Sequence, residues 1–385
     1  MPIWLFVALS VAAFASSVTL RIADSLLPEI AAEFATTPGV AAASVITTFT
    51  VAYGGIQIAF GPIGDRFGKV RTIAIASLLS VLAQIACAFS EDLDQISIAR
   101  AVAGATAGGV IPLCLAWIGD VVRFEDRQRV LGRFLLAQIF GLASGQALGG
   151  LIGDAFGWRA SFLMLAGLYL LGGIAPFLAL RFRPGAEGSG AVGPAGRIRP
   201  REALSRPRVR LVLTTVFLEG AAMYGAYSYA GTDLQQRFGL SVSTAGMLLT
   251  AFAFGALGYA LAVGRLVAAM SRARIALLGS LALTAGFTAF ALIPSLGVAL
   301  AALVLIGFGF YMLHNSLQTE ATQMIPEARG TALAMFAAML FIGQAAGVAL
   351  AGPFFDRVGG PPLYVAAAVL LPLIAAYFAR GLTRA

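Results

Sequence analysis

The sequence predicts an all-helical polytopic membrane protein of twelve spans, arranged as two pseudo-symmetric six-helix bundles. Three observations lead there. The 385 residues are 59% hydrophobic and only 11% charged, with a mean hydropathy of +0.89, which is too little charge to cover a soluble protein of this size. Apolar runs of about 20 residues recur throughout, the length that crosses roughly 30 Å of hydrocarbon. The basic residues between those runs favour one side strongly.

The net charge of +8 raises nucleic acid or a lipid surface as partners, and its placement decides between them. Arg66, Lys69, Arg71, Arg123, Arg127, Arg129 and Arg133 fall in alternate loops on one side. So do the run between residues 181 and 210 and then Arg265, Arg272, Arg274, Arg329, Arg380 and Arg384. Arg21, Arg100, Arg159, Arg237 and Arg357 are left for the other side or its margin. Basic residues gather on the cytoplasmic side of membrane proteins, so both termini and the middle loop are expected there. The basicity is topology, and no nucleic-acid partner is expected. Cys87 and Cys114 lie inside apolar spans without C-x-x-C spacing, and His314 is the single histidine, so no metal site is expected. No nucleophile constellation or extramembrane domain points to an enzyme.

Residues 3 to about 29 form span one. It reads as a retained span and not a signal peptide, because no Lys or Arg precedes the apolar stretch and the charge bias works with it in place. Arg21 and Asp24, three residues apart, are expected on one helix face, with Pro28 beyond them. Span two, about 41–63, holds Tyr53, Gly54, Gly55 and Gln57. It ends in the charged turn Gly61-Pro62-Ile63-Gly64-Asp65-Arg66-Phe67-Gly68-Lys69-Val70-Arg71. Span three, 72–90, is nearly all apolar. Span four, about 95–122, carries Arg100 near its outer end and Asp120 at its inner end. Span five, about 130–153, contains Gly141, Gly145 and Gly149, whose i+4 spacing permits close helix contact along one face. Span six runs to about 180. Residues 181–208 are dominated by Gly, Pro and Arg and read as a flexible cytoplasmic linker. Spans seven to twelve follow at about 209–231, 242–266, 273–292, 296–318, 330–352 and 361–379.

An internal repeat supports the division into halves 1–180 and 209–385. Ala52-Tyr53-Gly54 returns as Ala253-Phe254-Gly255, and Gly145-Gln146-Ala147-x-Gly149 as Gly343-Gln344-Ala345-x-Gly347. Asp154-x-x-Gly157 returns as Asp356-x-x-Gly359. Three matches in the same order at a near-constant offset argue for two parallel six-helix units.

Two six-span halves, a middle linker and the charged turn together resemble the major facilitator superfamily of secondary transporters. Its signature after span two is G-x-x-x-D-R-x-G followed by Lys or Arg, and here Gly61, Asp65, Arg66, Gly68, Lys69 and Arg71 supply it. The resemblance covers essentially the whole chain and implies alternating access around a central cavity. Further motifs resemble the bacterial drug:proton antiporter branch. They are Asp24-x-x-x-Pro28, Arg100-x-x-x-Gly104 with Ala103 for the usual glutamine, and Gly141-x-x-x-Gly145-Gln146-x-x-Gly149-Gly150 with Gln146 for a proline. A glutamine there can hydrogen-bond substrate or a neighbouring helix. The counterpart of the charged turn in the second half, Gly264-Arg265-Leu266-Val267-Ala268, has no aspartate, so the gate is expected to be asymmetric. The resemblance implies a monomeric, cofactor-free, proton-coupled exporter of small organic or amphipathic compounds in a bacterial plasma membrane. Proton-coupled uptake or exchange of a metabolite such as a sugar or organic acid is the alternative.

Ionisable groups inside spans are costly and are the first functional candidates. Glu219 sits about ten residues into span seven among Phe217, Tyr224 and Tyr227, where it can take up and release a proton. A structural glutamate bonded to a neighbouring helix is the competing reading. Arg21 and Asp24 form either a proton site or an interfacial ion pair that snorkels to water. The resemblance implicates Arg100 in proton coupling through a nearby carboxylate, and the competing, compatible reading is a structural partner for a carboxylate such as Asp24. His314 is a packing residue or a proton carrier. Gln57 and Gln344 face the interior, to bind substrate or join helices. Arg21 and Arg100 both look outer, and the lack of a deep basic pair leans towards a neutral or cationic substrate. The charged turn, with Gly61, Gly64, Asp65, Arg66, Gly68, Lys69 and Arg71, reads as a conformational latch. Asp65 would reach the positive N-terminus of span eleven, and the basic residues would meet lipid phosphate and Asp120, as the resemblance implies.

Overall fold

The computed structural model describes residues 3–182 and 200–384, and all regular structure among them is helical. Among the described residues eleven helices are long and apolar enough to cross a membrane, and Ile3–Thr19 is a shorter twelfth. Span one is Ile3–Thr19, with the short helix Leu27–Glu33 beyond it, span two is Pro38–Phe67, span three Lys69–Ala88 and span four Leu93–Val121. Phe124–Phe156 and Trp158–Phe182 are spans five and six. Span seven is Pro207–Tyr227 with Ala230–Phe238, and span eight is Val242–Leu249 with Ala251–Ala269. Arg272–Leu292, Leu296–Met324, Arg329–Val358 and Gly360–Arg384 complete the twelve. Large apolar side chains such as Leu82, Leu171, Leu261 and Leu350 are exposed on the outside, as fits a bundle solvated by lipid. The face that carries Gly68 and the end of span twelve is called here the near face, and the opposite one the far face.

Span one departs from expectation. Its helix stops at Thr19, residues 20–26 are turns, and a new helix starts at Leu27, so Arg21 and Asp24 do not share a helix face. Pro28 has no N–H to return to the carbonyl of Asp24, four residues back. The second half takes up the loosened backbone. Gln235 Nε2 donates to the Ser25 carbonyl (3.0 Å), and Gly231 packs against the Asp24 carbonyl.

The expected linker is also revised. Residues 183–199 lie outside the described residues, Pro200–Ser205 is helical, and span seven begins at Pro207, a residue suited to the first turn of a helix. Spans seven, ten and eleven run past their expected ends to Phe238, Met324 and Val358. Hydropathy marks the hydrocarbon and not the helix. Paired charges such as Asp233–Arg237 (2.6 Å) carry a helix beyond it.

Glycines set the packing inside each half. A Cβ on Gly141, Gly145 or Gly149 would press on the carbonyls of Phe14, Val18 or Ile22 in span one. Their repeat counterparts Gly343 and Gly347 lie in the same way against Phe217 and Ala221 of span seven. The three span-five glycines thus give the close helix contact that their spacing permits, within one half. Gly150 meets the other half, at Val242 and Gly246.

The halves meet towards the far face. Gly39, at the start of span two, packs on Gly352 near the end of span eleven. The Thr37 hydroxyl donates to Asp356 Oδ2 (2.6 Å) and the Gly39 N–H to Asp356 Oδ1 (2.9 Å). Spans five and eight close likewise, with the Ser243 hydroxyl on Asp154 and Gly150 against Gly246. Asp154 and Asp356 are the two acids of the sequence repeat. Towards the near face the contacts between spans two and eleven run out. Gly54 still touches Phe341, whereas nothing lies within 4 Å of where a Cβ on Gly61 would sit.

Candidate functional site

Just below the far closure, spans one, five, seven, eight and ten surround a small cleft. Arg21, Gln146, Tyr224, Tyr227, Phe252 and Tyr311 are on its wall, and its volume of about 20 Å3 holds roughly one water. Gln146 organises the polar side. Its Nε2 donates to Asp24 Oδ2 (3.1 Å), and its Oε1 accepts from the Tyr227 hydroxyl (3.3 Å). That hydroxyl also reaches the Leu249 carbonyl (3.2 Å). One amide thereby joins spans one and five to spans seven and eight. The unwound stretch of span one lets Arg21 lie across the Tyr224 ring, 4.1 Å from its centroid, with Nη1 3.5 Å from Asp24 Oδ2. Asp24 and Arg21 are both buried, so the pair does not snorkel to water.

Glu219 is fully buried, and Oε2 lies 2.9 Å from His314 Nδ1 of span ten. A carboxyl this far from water needs a partner, and His314, stacked on Phe310 at 5.1 Å, supplies it. The other oxygen of Glu219 has no hydrogen-bond partner among the described residues. Neither Glu219 nor His314 is on the wall of the cleft, whereas Tyr224 and Tyr227 are.

Arg100 does not pair with Asp24. A π-helical turn at Ala43–Thr47 leaves the Val45 carbonyl to accept from Arg100 Nε (2.8 Å), and the guanidinium lies over the rings of Phe49 (4.1 Å) and Phe162 (5.6 Å). Such turns widen a helix locally and release backbone groups. Gln57 is buried in span two and is not on the cleft wall. Gln344 is fully buried in span eleven, and neither amide atom is hydrogen-bonded among the described residues.

At the charged turn Lys69 Nζ sits between Asp65 (3.1 Å) and Asp120 (2.7 Å). Arg66 lies over the Phe67 ring, Gly64 packs on Leu113, and Gly68 turns the chain with φ +90°, a conformation that glycine adopts without strain. Among the described residues no hydrogen bond or ion pair links Asp65 to span eleven, because spans two and eleven have separated at this face.

Glu320, which the sequence reading passed over, is buried at the near end of span ten and takes Arg208 from span seven and Arg272 from span nine (2.6 Å). Its position at a helix end, next to basic loop residues, hid it. The signals for Gln146 are its replacement of a proline and its return as Gln344 in the repeat.

Eleven membrane-length apolar helices and a shorter twelfth among the described residues, joined at one face and parted at the other around buried charges, define a polytopic membrane transporter. The family model described as Major Facilitator Superfamily matches residues 9–348 and 212–384, and the chain belongs to that superfamily. It is 25% identical over 98% of its length to the uncharacterized MFS-type transporter YwfA of Bacillus subtilis, 92% of which is covered. The multidrug resistance protein fnx1 of Schizosaccharomyces pombe is 29% identical over 48% of this chain and 34% of its own. Among solved structures, a bacterial homologue of the human lysosomal transporter Spinster, inward-facing and occupied, superposes with a TM-score of 0.81 at 17% identity, covering 99% of this chain and 96% of that one.

Proposed function

We propose that this protein exports small amphipathic organic compounds by alternating access coupled to protons, as a monomer in a bacterial plasma membrane with both termini cytoplasmic. The observation that carries the reading is Asp24, a buried acid held by Gln146 on bonds that run from one half to the other. A change in its charge is felt where the halves meet, which is what coupling requires. Glu219 with His314 is the second proton site. The near face is the cytoplasmic one by its basic loops, and the described conformation is inward-facing. Export is supported by the name of fnx1, a multidrug resistance protein.

The test uses inside-out vesicles with an acidic lumen and a panel of diverse solutes. A substrate should dissipate the proton gradient, and Glu219→Gln or Asp24→Asn should abolish that response. A gradient response unchanged in both variants would refute these acids as proton carriers. Accumulation of the substrate in whole cells, in place of exclusion, would refute export and select uptake or exchange of a metabolite.

A further inference from the structure

We propose that the cleft selects an organic anion: a molecule with one carboxylate or similarly delocalised anionic group on an aromatic or apolar body, with Arg21 as its counter-charge. The inference rests on the transporter reading of the same cleft and adds the sign of the charge, reversing the lean towards a neutral or cationic substrate drawn from the sequence.

Arg21 comes to the wall because span one unwinds beside it. Its charge is buried and incompletely satisfied. Nη1 makes no hydrogen bond to the described residues, and its distance of 3.5 Å to Asp24 Oδ2 exceeds the roughly 2.7–2.9 Å of a charge-assisted bond. That same carboxylate oxygen is shared with Gln146. A buried cation in this condition attracts an anion, and the planar fork of a guanidinium matches a carboxylate.

The rest of the wall has the complementary character. No other charged side chain lines the cleft among the described residues, and Asp24 and Glu219 are not on its wall. Tyr227, Phe252 and Tyr311 offer rings to an apolar body. The face of Tyr224, which could otherwise hold a ligand cation, is already covered by Arg21. A cationic ligand would therefore meet the guanidinium and no carboxylate on the wall, since Asp24, paired with Arg21 at 3.5 Å, does not line the cleft. The cleft is nearly closed in this conformation. Leu142 of span five and Ala256 of span eight are also on its wall, and they belong to spans joined further out at Gly150 and Gly246.

The test is binding to the full-length protein in lipid nanodiscs of three probes on one skeleton: naphthoate, naphthylmethylammonium and naphthalenemethanol. Naphthoate should bind at least about tenfold tighter than the other two. Arg21→Gln should bring it down to the level of the alcohol and leave the alcohol unchanged, while Arg21→Lys should keep part of the preference. The proposal is overturned by the ammonium or the alcohol binding as tightly as naphthoate, by an absence of saturable naphthoate binding, or by Arg21→Gln keeping the preference. If Arg21→Gln does not fold, the ranking in the unmodified protein and in Arg21→Lys decides. Binding is read without a gradient. Failed transport in proteoliposomes with the anion preference intact would count against the transporter reading and leave this inference standing.

Discussion

Asp356→Ala is expected to loosen the far face. In the described conformation Asp356 of span eleven accepts from the Thr37 hydroxyl and the Gly39 N–H at the start of span two, so a carboxylate of one half caps a helix N-terminus of the other. Hydrogen bonds to a charged group contribute about 1.5–3 kcal/mol when buried, and a carboxylate at a helix N-terminus adds about 0.3–1 kcal/mol. Asp356 and Thr37 are exposed, and water competes for both. A discounted total of about 1.5 kcal/mol is reasonable, which corresponds to roughly tenfold in the ratio of far-closed to far-open protein. Spin labels at Val40 and Val358, both exposed on the two spans concerned, would report it as growth of a longer-distance population in pulsed dipolar spectra. Gly39→Ala should act in the same direction, since a Cβ there meets the Gly352 carbonyl at 2.5 Å. Unchanged distance distributions in both variants, with thermal stability preserved, would refute the idea that this contact holds the far face shut.

Four further outcomes are expected. Asp65→Asn should impair transport and leave substrate binding intact if Asp65 latches span eleven once the near face closes; equal loss of both would refute the latch. Glu320→Gln should lower the denaturation midpoint by the equivalent of roughly 1–2 kcal/mol, since Arg208 and Arg272 lose a buried partner but remain half exposed; an unchanged midpoint would show that the triad contributes nothing. Gly145→Val should destabilise the first half by roughly 1–3 kcal/mol through overpacking against the Val18 backbone, read as a loss of monodisperse protein on size exclusion. Glu33 lies outside the membrane-spanning segments. Burial works to raise its pKa, but hydrogen bonds from Arg159 and Trp158 outweigh this and hold the carboxyl below 4.5. Its stabilisation is present above pH 4.5 and is lost as pH falls through the depressed value. Acid-induced loosening between spans one and six, followed by hydrogen exchange, should therefore vanish in Glu33→Gln.

Much of the molecule was legible in the chain. The bilayer demands spans of one length with their backbone bonds satisfied internally, so twelve helices could be counted from hydropathy alone. Basic residues marked one face, and the glycine pairs Gly145/Gly149 and Gly343/Gly347 announced equivalent packing in both halves. Asp154 and Asp356 were visible as a repeat, although their job was not, because each acts on a helix of the other half. Glu219 stood out as a carboxyl in an apolar run and His314 as the single histidine, but their pairing did not, the two being 95 residues apart. Pro28 was seen, but its consequence, the unwinding that brings Arg21 to the cleft, was not.

The sequence by itself determined how many times the chain crosses the membrane, which loops share a face, and which side chains carry a charge into the apolar layer. These follow from local composition measured against a slab of fixed thickness. Only the tertiary structure decided that Gln146 joins Asp24 to Tyr227, that Arg100 rests on Phe49 and the Val45 carbonyl, and that the far face is the closed one. Such contacts depend on how helices distant in the chain are rotated and crossed. The same twelve spans can also be arranged with the opposite face shut, so no pattern of residues along the chain can select between the two arrangements.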